Sequence, residues 1–294
     1  MTDINLRYTF GADEHLFIEV SEEMSLKAFF HSLSLTRKIE SLNINGVLDI
    51  CLANASCQIR FNPDIIHPDD LLQQIRNVNV LSGNGEMTLQ TRIIEIPVLY
   101  NDPWTHETLM RFRNNHQNPA LTDLEYAAEI NGYPDVQTFI EAHHSSPWFV
   151  SMVGFVAGLP FMYQMVDRKK QIQVPKYLVP RTDTPKHSVG HGGCFGAIYP
   201  VRGAGGYQLF GITPAPIYDT EQKLSYFKDS MVFFRAGDII KFRAINTEQY
   251  NQCISDVESG NFELLIRPVN FDLNAFEENP EDYTKNLLGE LYGN

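Results

Sequence analysis

The sequence predicts an α+β fold, with a small α/β N-terminal domain over residues 1–90 and a β-rich domain over residues 91–269 that holds a helical insertion. Strand and helix periodicities alternate through the N-terminal part of the chain, and a polar connector at 82–86 marks the boundary. From Trp148 onward, alternating apolar and polar residues between glycines and prolines indicate a β-barrel or sandwich. An acidic tail over residues 270–294 completes the chain.

The elements of the N-terminal domain follow from their periodicity. Leu26, Phe29, Phe30 and Leu33 have the spacing of an amphipathic helix, and His67-Pro68-Asp69-Asp70 is a helix start before an apolar face that runs to Val78. The predicted elements are strands at 4–10 and 15–20, a helix at 25–35, strands near 46–53 and 57–61, a helix from 67 and a strand near 92–97.

The second domain is predicted to open with helices. Thr122 and Glu125 have the spacing of a capping box, and Gly132 is a stop signal. The segment 149–166 carries no charge, but Gly158 and Pro160 interrupt it, which favours two buried strands around a turn over a membrane helix. The predicted helices lie at 105–115, 122–131 and 136–143.

Composition excludes several classes of function. A net charge of −13 argues against a nucleic-acid or anionic membrane surface, because such binding requires Lys and Arg to neutralise phosphates. Four cysteines without a C-x-x-C pair fit a reducing compartment, and the N-terminus lacks the pattern of a signal peptide, so we expect a cytoplasmic protein. The acidic tail is either a terminal helix packed on its own domain or a docking arm for a partner.

The stretch 181–213 holds eight glycines among aromatic and β-branched residues. Such density is costly to order, so we expect positive φ or close approaches, in short strands with tight turns that wall a shallow site. The run 203–206 is only superficially a nucleotide fingerprint, because β-type residues follow it where a helix would start. His187 and His191 would share one side of a strand, yet no carboxylate-rich helix completes a set of ligands, and we predict no metal.

A resemblance to a known family rests on four motifs. They are IPVLYND at 96–102, GFVAGLPF at 154–161, KYLVPRTDTP at 176–185, and the glycine-rich blocks that contain IYP at 198–200 and GGYQLFGIT at 205–213. These motifs resemble the first subunit of the allophanate hydrolase and 5-oxoprolinase group, also called Kip-type kinase-inhibitor proteins. They are also similar to half of the carboxyltransferase module of urea carboxylase. One departure is Ile212, where the family usually has arginine.

The resemblance implies a fold and a function. The second domain would be a cyclophilin-like β-barrel, and the chain would be one subunit of a biotin-dependent carboxyltransferase or amide-processing enzyme, inactive without a homologous second subunit. Biotin would arrive on a carrier from a biotin carboxylase, and ATP would be used by partner subunits, with a urea-like amide or 5-oxoproline as substrate. The alternative is a regulatory protein that inhibits a sensor histidine kinase.

Carboxyl transfer of this kind requires donors for the ureido oxygen, a cation for the carboxylate and a group that removes a proton. The catalytic candidates are His191 as proton shuttle, with Arg181, Lys186 and Arg202 as cations. The candidates for substrate binding are Gln208, Tyr207, Gly192, Gly193, Gly205 and Gly206.

Each candidate has a structural alternative. Arg181 and Lys186 could be solvated turn residues, and Tyr207 could simply pack. Gln208 in an apolar strand is more informative, because a buried amide is costly unless it is paired. Cys194 beside two glycines is better explained as a small packing residue than as a nucleophile.

Overall fold

A computed structural model describes residues 6–77 and 87–293. The chain divides into two compact units. Unit 1 comprises the described residues up to Leu89 together with Phe271–Asn274, and unit 2 comprises Gln90–Asn270 with the described residues from Ala275. Each unit mixes helices and sheet, as the α+β prediction requires.

Unit 1 is an antiparallel four-stranded sheet in the order β1-β2-β4-β3 with two helices. Ser25 caps α1, which extends beyond the predicted end because Leu35 and Ile39 continue its buried face. Pro68 opens α2, as predicted, while the predicted continuation to Val78 and the connector at 82–86 lie outside the described residues. The elements are β1 (Arg7–Gly11), β2 (His15–Glu19), α1 (Leu26–Ser41), β3 (Val47–Ala53), β4 (Ser56–Phe61) and α2 (Pro68–Arg76).

The predicted helices of the second part are confirmed. Asp102 caps α3 through its carboxylate, and both hydrogen bonds of the Thr122–Glu125 capping box are present at α4. Gly132 has the positive φ of a helix stop. The helices before the glycine-rich stretch are α3 (Pro103–Phe112), α4 (Asp123–Ile130) and α5 (Val136–Ser145).

An eight-stranded sheet follows the order β12-β9-β10-β7-β6-β13-β5-β14. An additional pairing of β12 with β5 joins seven of these strands into a ring, whose core includes Trp148, Phe242 and Ile96. The uncharged segment 149–166 forms parts of β6 and β7 around a turn, as predicted. The likeness of this ring to cyclophilin stays a prediction. The strands are β5 (Thr88–Tyr100), β6 (Trp148–Val153), β7 (Pro160–Gln164), β8 (Arg181–Thr184), β9 (Ser188–Gly192), β10 (Phe195–Ile198), β11 (Gly203–Gly205), β12 (Gln208–Ile212), β13 (Ile239–Ala244) and β14 (Ile266–Asp272).

The remaining helices are α6 (Thr247–Glu258), α7 (Leu273–Glu278) and α8 (Pro280–Tyr292). In α8, Leu287 and Leu291 are buried, and the Tyr292 hydroxyl donates to a Glu95 carboxylate oxygen at 2.7 Å. The acidic tail is therefore a terminal helix that packs on unit 2. No helix among residues 6–77 and 87–293 is long and apolar enough to cross a membrane.

Close approach, more than positive φ, explains the glycine-rich stretch. Of its eight glycines only Gly193 has a positive φ, of 63°. A Cβ at Gly190 would lie 2.6 Å from the backbone oxygen of Gln208, and one at Gly211 would lie 2.5 Å from that of Leu99. The glycines thus let β9 and β12 pack against neighbouring backbone.

We expect Gly192→Ala to destabilise the protein by about 1–3 kcal/mol, because the new methyl group overpacks a filled site. A Cβ at Gly192 would lie 2.3 Å from the ring of Tyr207, which is buried. Gly203→Ala is the matched control, since a Cβ added there would meet no atom within 4 Å, and we expect a change within about 0.5 kcal/mol. Urea denaturation measures both, and equal midpoints would contradict the packing argument.

Candidate functional site

A groove of about 1010 Å³ opens in unit 2 beside the glycine-rich strands. Its volume is at the upper end of that of ligand pockets, about 300–1,000 Å³. Helices supply one part of its lining, namely Trp104, Glu107, Thr108 and Arg111 of α3 and Tyr250, Ile254, Val257 and Glu258 of α6. Loops and strand ends supply the rest, including Pro185, Lys186, His187, Pro200, Val201, Arg202, Ile212, Tyr218, Asp219 and Lys223.

The helical part of the lining combines an aromatic pair with polar groups. Positions 104, 107, 108 and 111 lie on one face of α3, since side chains three and four residues apart are neighbours. The rings of Trp104 and Tyr250 are tilted against each other with centroids 5.3 Å apart. Trp104 remains 42% exposed although it is a large aromatic side chain. Trp104 therefore offers an exposed apolar face to a ligand, with the buried ring of Tyr250 packed beside it.

Three cations lie along one side of the groove, and we call Arg111, Lys186 and Arg202 the cationic rim. The Asp183 carboxylate bonds Arg202 through Nε at 2.5 Å and Nη2 at 2.7 Å, and it accepts from Arg111 Nη1 at 2.9 Å. These arginines lower the pKa of Asp183 to about 2, chiefly through the hydrogen bond from Arg202. Asp183 therefore stays ionised and orients both guanidinium groups.

The chain topology places Lys186 beside Arg202. Strands β8 and β11 pair at Thr184 and Gly203, and the His187 amide donates to the Tyr199 carbonyl at 2.5 Å. The two loops that follow Thr184 and precede Gly203 consequently run side by side. Lys186 is exposed, lines the groove and makes no ion pair within the described part of the chain.

His187 lines the same groove in a strained backbone conformation. Its φ is 67°, a left-handed value that is uncommon for a residue other than glycine. The turn is fixed on both sides, because the His187 carbonyl also accepts from the Thr213 amide at 3.0 Å. Desolvation lowers the pKa of His187 to about 4, with the Lys186 charge adding to the effect. At neutral pH it therefore offers a neutral imidazole to the groove.

The structure brings together only part of the predicted site. Lys186 lines the groove, whereas Arg181, His191, Gln208 and Tyr207 do not belong to its lining. Arg181, His191 and Gln208 are completely buried. They lie in β8, β9 and β12.

Arg181 is buried at the start of β8, so its interpretation as a solvated turn residue is wrong. Its guanidinium stacks over the ring of Tyr177 at 4.5 Å, and Nε donates to Thr184 Oγ1 at 3.3 Å. Thr184 ends β8 immediately before Pro185 and Lys186, so Arg181 supports the strand that leads into Lys186. Tyr177 in turn donates to the buried carboxylate of Asp123 at 2.6 Å.

His191 and Gln208 face each other across β9 and β12. Nε2 of His191 lies 3.0 Å from the Ile172 carbonyl and 3.1 Å from that of Gly193, while Gln208 donates to the Pro175 carbonyl at 3.0 Å. Burial lowers the pKa of His191 to about 4, so it is neutral near pH 7 and has no solvent access. This geometry suits fixing the loop 172–175 rather than relaying a proton to solvent.

The predicted substrate-binding glycines are largely covered by the protein's own side chains. The Tyr207 ring packs on Gly192, and the Tyr199 hydroxyl and Thr184 Oγ1 pack on Gly205. The Gly193 amide donates to the Val174 carbonyl at 2.7 Å, and the Gly206 carbonyl accepts from the Tyr177 amide. Cys194 is half-buried, and desolvation raises the pKa of its thiol, which disfavours a thiolate.

The sequence interpretation missed Trp104, Arg111, His187 and Tyr250 as groove residues. Trp104, Thr108 and Arg111 are spaced so that they share one face of α3. This face combines an aromatic, a polar and a charged side chain, and that mixture is the sequence signal from which a groove lining could have been predicted. No group of three or more His, Cys, Asp or Glu side chains within residues 6–77 and 87–293 is placed to hold a metal ion.

His191 makes the stability of the fold depend on pH. Its folded pKa lies below the usual value of about 6.5, so the unfolded chain binds the proton first as the pH falls. We expect this residue to cost about 3 kcal/mol of stability between pH 7 and pH 4, with no further loss below. Urea denaturation of the wild type and of His191→Gln at several pH values measures this loss of stability. If the stability of the variant depended on pH as steeply as that of the wild type, the assignment to His191 would be contradicted.

The architecture is an α+β fold with a groove of ligand size beside its glycine-rich strands. The family described as "Carboxyltransferase domain, subdomain C and D" matches residues 6–227, about three quarters of the chain. The chain therefore belongs to this family, which confirms the resemblance of its sequence motifs. Lys186, His187 and Arg202 lie within the matched segment, and α6 lies outside it.

Two kinds of relative are similar to this chain. The B subunit of the 5-oxoprolinase of Bacillus subtilis is 32% identical over 160 residues, which are 54% of this chain and 56% of the relative. The urea amidolyase of Lachancea kluyveri is 23% identical over 290 residues, 95% of this chain but 16% of that protein. The chain thus spans about half of the first relative and a small part of the second.

Solved structures support the fold. The urea carboxylase of Kluyveromyces lactis matches with a TM-score of 0.86 at 21% identity, over 98% of this chain and 26% of that chain. The urea amidolyase from K. lactis matches with a TM-score of 0.84 at 20% identity, over 97% of this chain and 17% of that chain. At sequence identities this low, the two matches show the fold alone.

Proposed function

We propose that this chain is one subunit of an amide-processing enzyme of the carboxyltransferase type, with the groove of unit 2 as its share of the active site. The observation that carries the proposal is the cationic rim, whose Lys186 and Arg202 lie in the family-matched segment and face a groove of ligand size. The relatives are named for 5-oxoprolinase and urea amidolyase, and both names describe enzymes that act on amides, which supports the same class of reaction.

In this proposal the groove residues have separate roles. Lys186 orients a carboxylate, and Arg202 and Arg111, held by Asp183, stabilise negative charge that develops on an amide or ureido oxygen. The neutral imidazole of His187 accepts or donates one hydrogen bond at neutral pH. Arg181 acts through Thr184, which precedes the groove residues Pro185 and Lys186. His191 and Gln208 hold the loop 172–175, which does not belong to the groove lining, and Tyr207 covers Gly192.

The proposed enzyme is completed by other chains. The 5-oxoprolinase relatives are named as one lettered subunit of their enzyme, which supports a partner subunit. We propose that this partner is homologous to the present chain and supplies the missing half of the site. A biotinylated carrier would bring the carboxyl group and partner subunits would use ATP, with a small amide or lactam as acceptor. We propose a cytoplasmic location and no role for nucleic acid or membrane, in keeping with the net charge of −13.

The test is co-expression with the genomic neighbours of this chain, followed by light scattering and turnover assays. We expect a stable complex with a homologous subunit that turns over urea or 5-oxoproline with ATP, while this chain alone is inactive. Assays with and without a biotinylated carrier decide whether the reaction requires biotin. A chain that stays free of such a subunit, and that instead binds and inhibits a sensor histidine kinase, would overturn the proposal in favour of the regulatory alternative.

A further inference from the structure

Phe155 is a bare aromatic side chain beside the groove, 73% exposed in the turn between β6 and β7. Gly158 brings this turn against the groove, because a Cβ there would lie 3.3 Å from the Cβ of Tyr218 and 3.6 Å from that of Pro200, both of which line it. The φ of Phe155 is 70°, a left-handed value that is an outlier for so bulky a residue. A strained backbone that presents an aromatic ring to solvent at this place indicates a functional surface.

Met231 extends the same surface from Tyr218. The backbone of Tyr218 forms an antiparallel bridge with Val232, and the Asp219 amide donates to the Met231 carbonyl at 2.9 Å. Met231 is 45% exposed. We call Phe155, Tyr218 and Met231 the apolar border. Phe155 and Met231 do not belong to the groove lining, so a ligand confined to the groove would leave both of them in solvent.

The charges of the groove beside this border balance each other. Among the described residues, the cationic rim and Lys223 supply four positive charges. Glu107, Asp219 and Glu258 of the lining, together with Asp183 bound to the rim, supply four negative charges. A face without net charge offers a partner little long-range attraction, so binding there depends on the burial of apolar area.

We propose, resting on the function proposed above, that the second subunit docks on the apolar border and so covers the mouth of the groove, with Phe155 as the anchoring side chain. A partner that shares the site has to reach the groove, and the border is continuous with the groove lining through Tyr218. Aromatic side chains dominate the binding energy of interfaces when a partner surface desolvates them, and methionine adapts to the shape of its neighbours. The net charge of −13 disfavours an anionic membrane as the occupant.

Isothermal titration of this chain with the homologous second subunit from its genomic neighbourhood tests the inference. We expect Phe155→Asn to weaken binding by about 10- to 100-fold, the effect of removing an interface anchor. Asparagine is the chosen replacement because it tolerates a left-handed φ, so the ring is removed without added strain. Ile130→Asn is the matched control and should bind like the wild type, since Ile130 is 41% exposed at the end of α4, outside the groove lining and the border.

Two further measurements sharpen the test. Met231→Gln should weaken binding by about three- to tenfold, and it decides the question if urea denaturation shows that Phe155→Asn has lost stability. Raising the salt concentration from about 0.05 to about 0.5 M should change the Kd of the wild type by less than about threefold, because docking through apolar area is not screened. A steep loss of affinity with salt would show that charge drives the association, against the proposal.

The outcomes separate this inference from the proposed function. A complex that forms and turns over substrate equally well with Phe155→Asn and Met231→Gln would leave the proposed function in place and overturn only the docking surface. A wild-type chain that does not bind the second subunit would overturn both. A sensor histidine kinase bound through Phe155 in place of the subunit would show that the border is a docking surface with a different occupant, and the proposal would be wrong.

Discussion

Asp123→Ala is expected to lower the free energy of unfolding by about 3–5 kcal/mol, the cost of removing one member of a buried charged network. The Asp123 carboxylate is 2% exposed and accepts from the Leu209 amide and the Tyr177 hydroxyl, each at 2.6 Å. It also lies 3.3 Å from Nε2 of His116. The substitution leaves these buried donors without an acceptor in the packed interior between α4 and β12. Urea denaturation monitored by circular dichroism measures the change.

Asp135→Ala provides the comparison, because Asp135 also begins a helix but its carboxylate is exposed and caps the helix by accepting the Thr138 amide at 2.7 Å. Loss of this cap should cost about 1 kcal/mol. Equal effects of the two substitutions would show that the network of Asp123, Tyr177 and Leu209 adds nothing to an ordinary helix cap.

Lys186→Gln is expected to reduce kcat/KM of the proposed enzyme complex by about 10- to 100-fold, the factor that a charge-assisted hydrogen bond provides. Glutamine keeps a hydrogen-bond donor on a flexible side chain but removes the positive charge of Lys186. The side chain is exposed, so stability should change by no more than about 0.5 kcal/mol. Steady-state kinetics with the amide substrate, beside a denaturation curve, separates the two effects.

The same kinetics with Lys170→Gln should match the wild type, since Lys170 is exposed but lies outside the groove lining. Wild-type turnover in Lys186→Gln would contradict the assignment of this groove as the site. A loss of complex formation in Lys186→Gln would move the role of the residue from substrate to subunit contact.

Local signals made most of the elements predictable. The Thr122–Glu125 box, the Gly132 stop and the break at Gly158 and Pro160 each act through neighbours in sequence, and each is present in the structure. The family was also readable, because its motifs are runs of adjacent residues. Lys186 was found for the same reason, since it directly follows one of those runs.

The groove itself depends on contacts between distant residues. Arg111 and Arg202 are far apart in the sequence, and nothing in their local patterns indicates that both bind Asp183. Arg181 and His191 were assigned to the site from residue type and flanking glycines, but burial depends on the ring of strands around them. Sequence periodicity gives the order of strands along the chain, whereas the pairing of β12 with β5 is a tertiary property.

Tryptophan fluorescence of the assembled complex tests most directly that the groove is where substrate binds. The chain has two tryptophans, of which Trp148 is completely buried and Trp104 is 42% exposed in the groove lining. We predict that substrate changes the fluorescence of the wild type with a saturation midpoint near KM, and that Trp104→Phe loses this change. A complex that turns over substrate without any change, or a Trp104→Phe variant that keeps the full response, would contradict the central claim.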